Sequence, residues 1–189
     1  MHANPIESQR VVLRLVEEAD LPALLLVNGD EEVTRFLPYP TWASVVDGQA
    51  WLARCRVLAA QTKALQFVVI EKASGSAIGT CLLFRYEESS ARMELGYVLG
   101  RAHWGQGLMQ EALTALISQA FGAYGMRRLE AEVNPDNAAS NKLLRKLGFQ
   151  LEGLLRQRSA AKGVTYDVNI YGLLGEEWRP AATQPFTSP

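Results

Sequence analysis

Three groups of residues in this chain have types and spacings that could do chemistry. Trp104, Gly105, Gln106 and Gly107 stand directly ahead of Leu108 and Met109, where a helical pattern begins. The first N–H groups of a helix have no intrahelical partner, the macrodipole places about half a positive charge there, and glycine lets an anion approach the backbone. A phosphate or pyrophosphate suits such a place. The run matches neither GxGxxG nor GxxxxGK[ST], since no lysine follows. Further along, Asn134, Asn137 and Ser140 recur at intervals of three. Asn137 and Ser140 fall on one face at the start of a short helix, where the dipole favours a developing thiolate. Glu94 lies inside an alternating segment, its carboxylate pointing opposite to Met93 and Leu95. That is a candidate proton acceptor.

The elements that hold these residues are legible from period. Met93, Leu95, Tyr97 and Leu99 alternate with Glu94, Gly96 and Val98, which predicts a strand. Leu108, Met109, Ala112, Leu113, Leu116, Ile117, Ala120 and Phe121 follow at helical spacing. Leu129, Ala131 and Val133 predict a second strand ending at Asn134 and Pro135. A helix then starts with Asp136 or Asn137 as cap, presents Leu143, Leu144 and Leu147, and stops at Gly148. Upstream, Val11, Leu13 and Leu15 predict one face of a strand, and Asp20 caps a helix with Pro22 in its first turn. A helical turn over 31–37 is broken by Pro38 and Pro40. A long helix from Ser44 to Ala60 turns Trp51, Leu52, Cys55 and Leu58 inward. A hairpin about Ser74, Gly75 and Ser76 leads back into the strand of Glu94, and a final pair of strands meets near Lys162 and Gly163.

A glycine loop after a central strand, a long helix, then a strand leading into NxxNxxS and a helix closed by LGF resembles the GCN5-related N-acetyltransferase superfamily. Within it the chain is similar to the branch of RimJ/RimL-type ribosomal-protein N-terminal acetyltransferases, and GVTYDVNIYGLL, 163–174, is similar to that branch's closing strand. The resemblance covers roughly residues 8 to 178. It implies an α+β fold: a mixed, mostly antiparallel twisted sheet of about seven strands with helices on both faces, its central parallel strands splayed for acetyl-CoA. The expected organisation is a flexible lead-in over 1–8, one domain over 9–178 and a flexible tail over 179–189.

The same resemblance assigns roles. Acetyl-CoA is the co-substrate, with its pantetheine arm on the backbone of Tyr97 and Leu99 and its pyrophosphate on the amides of Gly105, Gln106, Gly107, Leu108 and Met109. Trp104 occupies the slot that more often holds Gln or Arg, and Met109 a slot that more often holds a small residue. Asn137 holds the pantetheine, Asn134 is a further acetyl-CoA contact, and Ser140 supplies a proton or hydrogen bond to the leaving sulfur. Lys142, Arg145 or Lys146 reaches the 3′-phosphate. Glu94 is the base, with a solvated carboxylate or an ion pair to Arg92 or Arg101 as its structural reading. The branch's alternative base position falls on Ser159. Phe36, Tyr39, Trp42 and Tyr166 are candidates for the acceptor pocket. The acceptor implied is the N-terminal α-amine of a protein, with a small amine, an amino acid or an antibiotic as alternatives and a homodimer as the assembly. A non-catalytic acyl-CoA-binding module is the main rival, which retention of both Glu94 and Ser140 disfavours.

Composition bounds the remainder. The 189 residues, 48% hydrophobic and 21% charged, suit one sizeable core. A net charge of −1 offers no electrostatic footprint for nucleic acid. No apolar run approaches the ~18 residues of a membrane span, so the expected location is the cytoplasm. Cys55 and Cys81 have no metal-ligand or CxxC spacing, and with His2 at the terminus His103 alone could serve a cysteine nucleophile. No metal is called for.

Overall fold

Eight strands form in the computed structural model, which describes residues 4–179. They are β1 (Ile6–Glu7), β2 (Val11–Leu15), β3 (Ala64–Glu71), β4 (Ala77–Glu87), β5 (Arg92–Leu99), β6 (Arg128–Val133), β7 (Gln150–Ala161) and β8 (Val164–Leu174). They form one sheet in the order β1-β2-β3-β4-β5-β6-β8-β7. Every neighbouring pair is antiparallel except β5 and β6. Parallel neighbours need a crossover, and α4 (Leu108–Phe121) supplies it.

Parity decides which face each side chain meets. Met93 and Leu95 of β5 and Leu129 and Ala131 of β6 are buried with Leu113, Leu116 and Ile117 of α4 and with Leu144 of α5 (Ala138–Lys146). The opposite face carries α1 (Leu21–Asn28), α2 (Glu31–Thr34) and α3 (Val45–Ala60). There Leu21, Leu24 and Leu52 close over Val68, while Val27 and Val33 meet Val98. The even-numbered residues of β5 and β6, Glu94, Glu130 and Glu132 among them, therefore look toward α1–α3, and the odd-numbered ones toward α4 and α5.

Several expectations are corrected. Ile6 and Glu7 pair with Leu13 and Val12, so the ordered part of the chain begins before residue 9. The sheet has eight strands because that two-residue strand is too short to show a period. Leu15 and Leu58 are each 40% exposed, since the first ends an outer strand and the second lies near the exposed end of α3. The helix expected over 31–37 ends at Thr34. Asp20 occupies the N-cap position of α1, but its carboxylate receives Arg14 and the Glu17 amide instead of capping. His2 and residues 180–189 lie outside the described residues. No helix among the described residues is long and apolar enough to cross a membrane.

Candidate active site at the parting of two strands

The parallel pairing of β5 and β6 covers only Arg92, Met93 and Glu94 against Arg128, Leu129 and Glu130. Beyond Glu94 the strands separate. The Gly100 amide donates to the Ile78 carbonyl at 2.8 Å, and antiparallel alternation then turns the backbone groups of the even residues of β5 toward β4. The N–H and C=O groups of Tyr97 and the N–H of Leu99 consequently face the gap, where an extended ligand can replace the missing strand. Trp104 lies at its end: its Nε1 donates to the Leu99 carbonyl at 2.7 Å, which gives the tryptophan in this loop a structural reason.

The glycine loop follows. Gly105 and Gly107 have φ of +73° and +77°, a region in which an L side chain is strained, and Gly107 is the residue from which α4 springs. Arg10 secures this loop from outside, donating from Nη1 to the Gln106 carbonyl at 3.0 Å and from Nε to Glu111 at 2.7 Å. Ser8 adds a 2.8 Å hydrogen bond to Glu111. Burial would raise the Glu111 carboxyl, but the bonds from Arg10 and Ser8 hold it below its ordinary value. Leu108 and Met109 are buried, and the Met109 sulfur lies 3.7 Å from that of Cys81. The bulk of Met109 is thus spent in the core and not on the loop. Burial pushes the Cys81 thiol up, as expected of a packing residue.

On the far side of the gap, the Asn137 side-chain Oδ1 accepts from the Ser140 amide at 3.1 Å, which makes Asn137 and not Asp136 the cap of α5. The Asn134 side chain accepts from the Asp136 amide at 2.8 Å. Asn141, which sequence reading passed over, organises this turn. Its Nδ2 donates to the carbonyls of Asn134 and Asn137 at 3.1 and 2.7 Å, and its Oδ1 accepts from Asn169 and from the Tyr171 hydroxyl. An asparagine inside a helix is a poor helix former, and that was the available signal. Ser140 Oγ lies 2.6 Å from the Tyr97 hydroxyl, so it is engaged across the gap and not with its own helix. Burial pushes the Tyr97 phenol up to about 12, with the Ser140 hydrogen bond opposing, so the phenol stays protonated. When Ser140 donates elsewhere, Tyr97 donates to it.

Glu94 occupies the other face of the sheet. Its carboxylate receives Arg85 Nη1 at 2.6 Å, and the same nitrogen reaches Glu132 at 3.1 Å. The expected partners are engaged elsewhere, Arg92 with Glu130 and Arg101 with Asp30. Burial raises the Glu94 carboxyl above its ordinary value; Arg85 opposes the rise, and Glu132 and Glu130 add to it. A cavity of about 320 Å³ runs through the gap and is lined by Glu94, Tyr97, Asn137 and Ser140 together. Phe36, Tyr39, Tyr166 and Ser159 also border it, whereas Trp42 packs with Leu21 and Leu24. Lys162 Nζ donates to the Thr34 carbonyl at 2.7 Å and ties the β7–β8 turn to the end of α2, so both walls bound one opening. Lys142, Arg145 and Lys146 are exposed on α5.

Such an arrangement can bring a thioester and an amine together from opposite faces of one sheet. The backbone of β5 and the glycine loop suit an extended anionic donor on the α4 side. Glu94 faces the α1–α3 side, where an acceptor can enter, and Ser140 stands across the gap.

Comparison with known proteins accords with this. Residues 10–150 match the family model described as an acetyltransferase (GNAT) domain. The chain is 36% identical over 171 residues to the uncharacterized N-acetyltransferase p20 of Bacillus licheniformis, covering 90% of this chain and 96% of that protein. It is 29% identical to the [ribosomal protein uS5]-alanine N-acetyltransferase of Escherichia coli (strain K12), over 93% of each. Its fold is similar to that of RimL, a ribosomal L7/L12 α-N-protein acetyltransferase solved in complex with coenzyme A, with a TM-score of 0.82 and 25% identity over 90% of this chain and 98% of that one.

Proposed function

The chain belongs to the acetyltransferase (GNAT) family and is an acetyl-CoA-dependent N-acetyltransferase; we propose that its acceptor is the N-terminal α-amine of a protein, with Glu94 as base and Ser140 as the group that receives the leaving sulfur. The observation that carries this is one cavity bordered by a buried carboxylate on one side of the strand gap and a tyrosine-backed serine hydroxyl on the other. The choice of acceptor follows from proton cost. An α-amine with pKa near 8 is about one-tenth neutral at pH 7, whereas a lysine amine is neutral only about four times in ten thousand. The difference is about 3 kcal/mol, and a single carboxylate held above its ordinary value by burial suits the easier substrate. The relative named a [ribosomal protein uS5]-alanine N-acetyltransferase and the fold neighbour named a ribosomal L7/L12 α-N-protein acetyltransferase support the same class.

The sequence of events uses this chain's residues in turn. The acceptor enters as an ammonium; one N–H bond breaks and its proton passes to a Glu94 oxygen, directly or through one water. The neutral nitrogen attacks the thioester carbon, and the C–S bond breaks as the sulfur takes the hydrogen of Ser140. The nitrogen sheds its second proton to the Ser140 oxygen, directly or through water, while Tyr97 donates a hydrogen bond to that oxygen; Glu94 then returns its proton to solvent, leaving the amide and the free thiol. Pantetheine pairing along Tyr97 and Leu99 and the pyrophosphate on the Gly105–Met109 amides would hold the donor in line.

The test is thiol release from acetyl-CoA with peptides bearing a free N-terminus, against the same peptides blocked at the N-terminus and carrying one lysine. Release with the free N-terminus is expected, and Ser140→Ala should lower kcat by about tenfold or more with KM for acetyl-CoA unchanged. Release confined to lysine or to small amines would overturn the acceptor class, and full turnover by Ser140→Ala would remove Ser140 from the mechanism.

A further inference from the structure

Arg85 holds a place that ordinary strand geometry would not give it. Phe84 pairs with Glu94 and Glu87 with Arg92, so three steps along β4 oppose two along β5 and the strand bulges between them. Regular alternation would point Arg85 the same way as Leu83, into the α4 core. Instead Arg85 has φ of +52°, a left-handed conformation that is costly for a residue with a Cβ. A bulge re-aims a side chain, and this one turns the guanidinium onto the Glu94 face. There it spans Glu94 and Glu132, one carboxylate from each of the two strands that part. The Arg85 side chain is 56% exposed while Glu94 is 10% exposed, so the cation can swing out and the carboxylate cannot. Glu132 retains Arg158, 3.6 Å away, as a second cation.

At neutral pH about nine in ten α-amines arrive as ammonium ions. The catalytic carboxylate must therefore first receive a cation and only then a proton. In the free protein it already carries one. We propose that Arg85 is the resident counter-cation of the acceptor site, displaced from between Glu94 and Glu132 by the incoming primary ammonium, so that Glu132 holds the acceptor and Glu94 is unmasked only when an acceptor is bound. This rests on the reading of Glu94 as base and extends it in two ways. Glu132 becomes a residue that selects for a cationic acceptor. Arg85 becomes a guard against wasteful hydrolysis, because an unmasked Glu94 could equally take a proton from water. The water oxygen would then bond to the acetyl carbon as the C–S bond breaks, giving acetate and free CoA thiol.

Three variants are measured with acetyl-CoA and a free-N-terminus peptide. Arg85→Met is expected to lower the peptide KM by about fivefold or more, because the ammonium no longer competes with a tethered cation. It should also raise thiol release in the absence of peptide by at least about threefold. Methylguanidinium should then inhibit Arg85→Met competitively with peptide and not with acetyl-CoA, which requires a folded site with a vacated cation position. Glu132→Gln is expected to raise the peptide KM by about tenfold, the loss falling on KM more than on kcat. A peptide KM that rises in Arg85→Met, with no methylguanidinium competition, would overturn the proposal. So would an unchanged peptide KM in Glu132→Gln. Glu94→Gln separates the two levels: full turnover in that variant defeats the base itself, whereas loss of turnover there with the negative results above defeats only the displacement.

Discussion

At the scale of single residues, the proposed role of Glu94 as base makes its environment set the pH response. Burial raises its carboxyl and Arg85 opposes the rise. A base works only when deprotonated, so kcat/KM falls as pH drops through this pKa. Because that pKa is raised, the acidic limb should lie above the ordinary carboxylate range. Removing the guanidinium takes away the opposing influence and should move the limb to still higher pH in Arg85→Met. Glu94→Gln should lower kcat by about a hundredfold and abolish the limb; a pH–rate profile in which the limb survives would assign the base to another group. Glu94 and Ser140 were legible in the sequence because strand parity and a helical interval of three fix their directions locally. Arg85 was not, because one extra residue in β4 reverses the side to which every later side chain points, and nothing in FRYE marks where the slip falls. The same limit hid Glu132, whose importance depends on which cation it meets across a strand gap.

Among the elements, the proposed pyrophosphate site makes the glycine loop and α4 answer for donor affinity. Gly107 lies at φ +77° with only Arg10 near the position of a β-carbon, at 3.5 Å, so conformation and not crowding decides the outcome of a substitution. Gly107→Ala should cost about 1–2 kcal/mol of stability, read by thermal or denaturant unfolding, and weaken acetyl-CoA binding in calorimetry. Wild-type affinity in that variant would show that the loop does not need its left-handed entry. The helices and most strands were readable because 3.6- and 2-residue periods run long enough to register in α4, β5 and β6. Ile6–Glu7 was not, since two residues carry no period and its place comes from pairing with β2 and from the Ser8–Glu111 and Arg10–Glu111 bonds formed about a hundred positions away. Leu15 and Leu58 belong to correct elements yet are partly exposed, because pattern predicts a face and not where the covering layer stops.

For the whole molecule, the sheet is continuous from β1 to β7, yet its two parts join edge to edge through only three residue pairs, 92–94 against 128–130. Past that seam the amides of the odd residues of β5 have no strand beside them, and only the helical layer of α4 and α5 continues beneath. An extended donor lodged there is mechanically a splint, completing the cross-strand bonding that the fold leaves undone. Deuterium uptake followed by mass spectrometry should accordingly slow on adding CoA in peptides spanning 95–100 and 128–134, with little change in β2 and β3. Uniform slowing throughout, or none at the seam, would show that the sheet is already rigid without its ligand. A protein of this shape spends sheet cohesion to keep a slot open, and recovers it each time the slot is filled.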